Sequence, residues 1–275
     1  MRVTGLLYVG LEVPSLDVGQ QFYRQFGLEP VEQADSLTFR CVGRDQDQLV
    51  LGEGPAKRLA YIAFSVTQGS LPAFTRHLER HGVPLGDAPA GAPQGGIWLR
   101  DPEGTWVNLR DERPAAPRSF EAGAYNVGNS YDRIDKAQWL DVRDTRAGPR
   151  RLGHTLFFSA DAFGMERFYV ETLGLRVSDR ITGRVSFLNC GTGDHHVFGF
   201  LPSSHRGLHH LSFEVSGIDE MAMGAQVMAA GGHRELAAAR LRRPARCLVS
   251  DSASGIPSEP RAQVLNGPPY SFCNG

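Results

Sequence analysis

Cysteine is scarce. The four residues Cys41, Cys190, Cys247 and Cys273 form no CxxC pair, which excludes a zinc ribbon and a disulfide-stapled scaffold and points to a reducing compartment. The opening MRVTGLLYVGLEV lacks the basic stretch and uninterrupted apolar run of an export signal, so a cytoplasmic location is expected. No apolar run approaches the ~20 residues that cross a bilayer, so no membrane partner is expected. Charge of either sign is not in surplus. Lys plus Arg number 29 against 30 Asp plus Glu, a net −1 that gives no field to hold nucleic acid. What remains is a small-molecule partner. With 32 Gly and 17 Pro the composition is wrong for a helical bundle and suits short strands joined by turns. The 41% hydrophobic and 21% charged shares are those of a globular chain, and 275 residues suit two modules at roughly 100–200 each.

The chain repeats itself. Tyr8–Val13 corresponds to His154–Ser159 at an offset of 146, and Phe22-Tyr23 with Gly27-Leu28 corresponds to Phe168-Tyr169 with Gly174-Leu175. Leu37-Thr38-Phe39 matches Val185-Ser186-Phe187 at 148, and Leu59–Val66 matches Leu208–Val215 at 149. A slowly growing offset means small turn insertions in one architecture. Each copy reads as a strand (6–13; 153–159) and a helix capped at Ser15 or Asp17 and at Asp161. Three short strands follow (37–42, 48–52, 59–66; 184–189, 196–200, 208–215), then a second helix (69–82; 218–231). In the first copy strands at 96–100 and 105–109 flank the turn Asp101-Pro102-Glu103-Gly104. The fold class is α+β, with tandem βαβββ units in two repeated domains: 1–112, a connector 113–150 anchored by Tyr125, Tyr131 and Trp139 with a short helix near 133–143, and 151–275.

Where two copies share a fold, chemistry belongs to the positions at which they differ. Tyr8 becomes His154, Gln48 becomes His196 and Tyr61 becomes His210. A pseudo-twofold within the second copy brings His154 and His210, on matching strands, face to face as metal-ligand candidates. A lone strand histidine is more often a core or surface residue; here His210 shares its face with Ser212 and Glu214, the wetter side. His195 and His209 precede the candidates and are expected on the opposite face. His77 and His81 have ligand spacing on a helix but flank Glu79 and Arg80, the marks of a solvated face. His205 and His233 carry no signal.

Gly153-His154-Thr155-Leu156-Phe157, Asp194-His195-His196-Val197-Phe198-Gly199-Phe200 and Gly207–Val215 resemble the second module of type I extradiol dioxygenases of the vicinal-oxygen-chelate superfamily. The first copy, with Gly54-Pro55 through Leu59 and Gly96–Gly104, is similar to that family's non-catalytic module, and the resemblance spans residue 5 to about 235. It implies Fe(II) held by His154, His210 and a glutamate, two imidazoles and one carboxylate leaving a face open for a catechol and O₂. It further implies that His196 acts as acid and base, and that ring cleavage yields a muconic semialdehyde. A homo-oligomer is expected.

The pattern breaks after about residue 236. Copy one places the glutamate at Asn108's counterpart, beyond an Asp-Pro turn, but 237–275 holds Pro244, Pro257, Pro260, Pro268 and Pro269 and no strand of normal quality. The family's second acid/base His and its active-site Tyr have no counterpart, Leu241-Arg242-Arg243 and Gly255-Ile256 standing in those regions. Two readings stay open. Glu259, four residues after Gly255 as Asn108 is four after Gly104, is the candidate third ligand. Alternatively a shift of reading frame near 236 replaces the native end. Beside the dioxygenase stand a glyoxalase-like isomerase, which by resemblance draws ligands from both copies, and a metal-free binding or catalytically dead relative.

Overall fold

The computed structural model describes residues 1–33, 36–116, 147–181, 183–233 and 246–249. The expected connector helix, its aromatic anchors and Glu259 lie outside these residues. β1 (Val3–Val13), α1 (Leu16–Phe26), β2 (Glu29–Gln33), β3 (Ser36–Arg40) and β4 (Asp47–Glu53) form one βαβββ unit. A second follows, with β5 (Arg58–Val66), α2 (Leu71–Arg80), β6 (Leu85–Gly86), β7 (Ile97–Arg100) and β8 (Trp106–Arg110). The strand expected at 59–66 therefore opens the second unit rather than closing the first. The other sheet repeats the plan with β9 (Arg151–Ser159), α3 (Ala162–Glu171), β10 (Arg176–Ile181), β11 (Val185–Asn189) and β12 (Phe198–Pro202). It continues with β13 (Gly207–Glu214), α4 (Ile218–Ala230) and β14 (Arg246–Val249).

The strand orders are β2-β3-β4-β1-β5-β8-β7-β6 and β10-β11-β12-β9-β13-β14. In each sheet the first strands of the two units, β1 with β5 and β9 with β13, pair antiparallel at the centre. The helix starts are built by their caps: Ser15 Oγ accepts from Val18 N at 3.3 Å and Asp161 Oδ1 from Gly164 N at 2.9 Å. Gly27 ends α1 at φ 109°, and a Cβ there would stand 1.9 Å from the Ala147 carbonyl oxygen, so both conformation and space demand glycine.

The two sheets share one apolar core. Phe64 of β5 meets Tyr169 of α3 and Phe198 of β12 at ring separations of 6.2 and 5.6 Å, and Phe26 meets Phe213 at 5.6 Å. Polar ties add to it. The turn after β7 reaches across: Glu103 Oε1 accepts from Ser159 Oγ, Ala160 N and Asp161 N at 2.9, 2.7 and 3.1 Å, at the start of α3. Tyr169 Oη donates to Asp101 Oδ2 at 3.2 Å.

Burial pushes the Asp101 carboxyl up to about 6 against donors at Thr105, Tyr169 and Glu103 that pull it down. The folded chain thus holds this proton to higher pH than the unfolded one, and stability falls as pH rises from about 4 to about 6, by about 3 kcal/mol at most. Asp101→Asn keeps the Oδ1 acceptor for Glu103 N and Thr105 N. It is expected to remove this slope, so that its stability relative to wild type climbs across that window in urea titrations at stepped pH. A constant difference between the two proteins contradicts the assignment.

Candidate metal centre

In the central ladder of the second sheet His154 stands opposite Ser212 and Leu156 opposite His210, which makes the two histidines diagonal neighbours across β9 and β13. Both are buried, and their Nε2 atoms lie 3.0 Å apart. Thr155 Oγ1 donates to the His210 carbonyl at 3.0 Å and holds the second strand in place. His210 Nδ1 faces His209 Nδ1 at 2.5 Å. Burial drives the His210 imidazole well below its ordinary pKa, with repulsion from His209 and His196 adding to it. Burial also lowers His209 to about 4. His210 is thus a neutral imidazole, the form that binds metal.

The structure also brings His196 here, its ring centroid 4.3 Å from His154 and 4.6 Å from Phe187. Two expectations about it need correction. His196 lies in the irregular stretch before β12, not on the strand. By ladder register it replaces Asp47, not Gln48: Val9 pairs with Leu49 and Thr155 with Phe198, which sets the offset at 149 from β3 onward. Gln48 serves packing instead, accepting from Leu152 N at 2.7 Å and donating to the Leu7 carbonyl at 3.1 Å. His195 and His209 do not point away; each meets its neighbour's Nδ1. His77, half-buried, reaches the Thr172 carbonyl at 3.0 Å and its ring lies 4.2 Å from that of His81.

Two nitrogens bound at right angles to one ion at 2.1 Å each stand about 3.0 Å apart. The His154–His210 separation equals this, so the pair fits two adjacent positions on a metal, which would displace the single proton now shared between them. Among the described residues no group of three or more His, Cys, Asp or Glu could hold a metal. His196 turns its Nδ1 to His195, and Asp194 and Glu214 are engaged by Arg151 at 2.7 Å each.

The matching positions of the first sheet are filled differently. Tyr8 Oη donates to Asn108 Oδ1 at 3.2 Å, Tyr61 packs edge-on against Trp98 at 5.4 Å, and a Cβ on Gly10 would stand 2.2 Å from the Tyr61 ring. Burial pushes Tyr8 up to about 12 and Tyr61 higher, so both are neutral phenols and poor ligands. The third position differs as well. β8 runs parallel to β5 with Asn108 opposite Ala63, whereas β14 runs antiparallel to β13 with Leu248 opposite Ser212. Where no strand of normal quality is expected, a short four-residue strand pairs in the reverse direction and carries no carboxylate at the place of Asn108.

Residues 151–240, which contain all three histidines, match the model of the Glyoxalase/Bleomycin resistance protein/Dioxygenase superfamily. Over 236 residues, 83% of this chain and 70% of the relative, the sequence is 31% identical to Metapyrocatechase 2 of Cupriavidus necator. The chain belongs to the extradiol dioxygenase family of that superfamily. Two solved structures share the fold of this family member with a TM-score of 0.65: the Mn(II)-bound glyoxalase of Novosphingobium aromaticivorans, 25% identical with 84% of this chain and 72% of that one covered, and the 2,3-dioxygenase LapB of Pseudomonas sp. KL28, 21% identical with 84% and 82% covered. None of the described helices is long and apolar enough to cross a membrane.

Proposed function

We propose that this protein is an extradiol dioxygenase that opens catechol or a substituted catechol with O₂, giving a 2-hydroxymuconate semialdehyde-type product in aromatic catabolism. Its metal is Fe(II), held by His154, His210 and Glu259, and it works in the cytoplasm as a homo-oligomer. The observation that carries the reading is the 3.0 Å convergence of His154 and His210 in a chain of this family. The relative is named for metapyrocatechase activity, and the pair supports the metal that such activity needs. A ferrous ion, when bound, supplies a face on which both diol oxygens and O₂ assemble.

The chain's own groups do the rest. His154 and His210 are both buried and His210 is neutral, so that imidazole binds a dication without first losing a proton. His196, packed between the His154 and Phe187 rings, takes a proton from a diol hydroxyl and returns one as the ring opens. The isomerase reading is disfavoured by Tyr8, Tyr61 and Asn108, neutral groups that make the corresponding positions of the first module poor ligands. Anaerobic loading with Fe(II), then catechol and air, tests the proposal: yellow ring-cleavage product with about one iron per chain is expected, and iron uptake without product favours the catalytically dead relative.

Glu259→Gln tests the third ligand. It removes the one anionic donor from a site otherwise built of neutral imidazoles, and iron affinity is expected to fall about 10–100-fold or more. If 237–275 is a frame-shifted end, the same change leaves iron binding as it was, and binding is weak in both proteins. Tight iron binding in both would defeat the Glu259 assignment and the frame reading together.

A further inference from the structure

His195 sits in the irregular stretch before β12, so the two-residue alternation of a strand does not govern it, and its ring turns toward its neighbour. The Nδ1 atoms of His195 and His196 lie 3.0 Å apart. His195 is exposed while His196 is only 1% exposed. The segment is pinned from both sides. Ser178 Oγ donates to the His195 carbonyl and itself accepts from Asn189 Nδ2 at 2.8 Å. Arg151, three residues before His154, grips both oxygens of Asp194 at 2.7 Å and also Glu214 of β13 at 2.7 Å. One guanidinium therefore ties together the three segments that carry His154, His196 and His210.

Only one proton fits between two Nδ1 atoms at hydrogen-bond distance, so one ring donates and the other accepts, and the tautomer of His196 is tied to that of His195. We propose that His195 is a positioning residue for His196: its hydrogen bond fixes the tautomer and the edge-on orientation of that ring and leaves Nε2 as the nitrogen for proton transfer. The kinetic consequence rests on the ring-cleavage reading above; the structural one does not.

The test uses the full chain in two arms. With ¹⁵N-labelled histidine and no added metal, long-range ¹H–¹⁵N spectra are expected to show His196 as one tautomer in wild type and in His195→Asn, whose side-chain amide reaches the place of Nδ1. In His195→Leu they show a tautomer mixture. After loading with Fe(II), His195→Leu is expected to lower kcat about 10–100-fold with KM and iron content unchanged, and Asn to restore most of it. An unchanged His196 spectrum in the Leu variant overturns the proposal, as does an Asn variant that falls as far as Leu. A wild type that cleaves no ring, combined with the tautomer loss in Leu, supports the positioning role and overturns only the ring-cleavage reading.

Discussion

Replacing either His154 or His210 with Ala is expected to abolish iron retention and to lower ring-cleavage turnover by about 10³-fold or more, the largest effects for this chain. The reason is geometric. Each imidazole offers one Nε2 at a shared point, so the loss of either leaves an ion there with only one of its two adjacent nitrogen ligands. The fold should persist, because the core of both sheets is built from apolar and aromatic side chains that neither histidine organises. Iron analysis after gel filtration, with far-UV circular dichroism as the control, reads the result. Iron content equal to wild type in both variants would sink the site.

His196→Phe is expected to keep iron and to lose about 10²–10⁴-fold in kcat, the range for removing a general acid or base. Phe preserves the ring contact with Phe187 and His154 and removes both nitrogens. The comparison with His154→Ala is informative because the three rings form one cluster. If His196→Phe also strips the metal, His196 is a ligand and its assignment as the acid and base is wrong.

The histidine pair was legible in the sequence because the repeat supplied a reference copy. Tyr8 and Tyr61 at equal places mark His154 and His210 as departures from a packing residue. The edge strands were not legible. β2 reads EPVEQ and β10 RVSDRI, charged and with no apolar alternation, which is how sheet edges avoid pairing with other chains. His196 was found but misregistered by one residue, since the slip already lies upstream at β11, where Ser186 rather than Val185 is the counterpart of Leu37. The irregular backbone before β12 hid His195, whose only sequence signal is the His-His pair beside a glycine-rich turn. The direction of β14 had no signal at all, because pairing direction depends on where the chain returns to the sheet rather than on any residue in it. Glu103 was legible as part of a turn but not as the cap of a helix start 57 and 58 residues away.

The core that runs from Phe64 to Tyr169 and Phe198 makes the first half a silent partner of the half that carries the histidine pair. Tyr169 and Phe198 would face water if the first sheet were removed, so the half that carries the histidine pair is not expected to work as a separate fragment, and heat is expected to unfold the two halves together. A packing defect beneath Tyr61 or beside Phe26 is then expected to be felt as temperature-sensitive activity rather than as a change in chemistry.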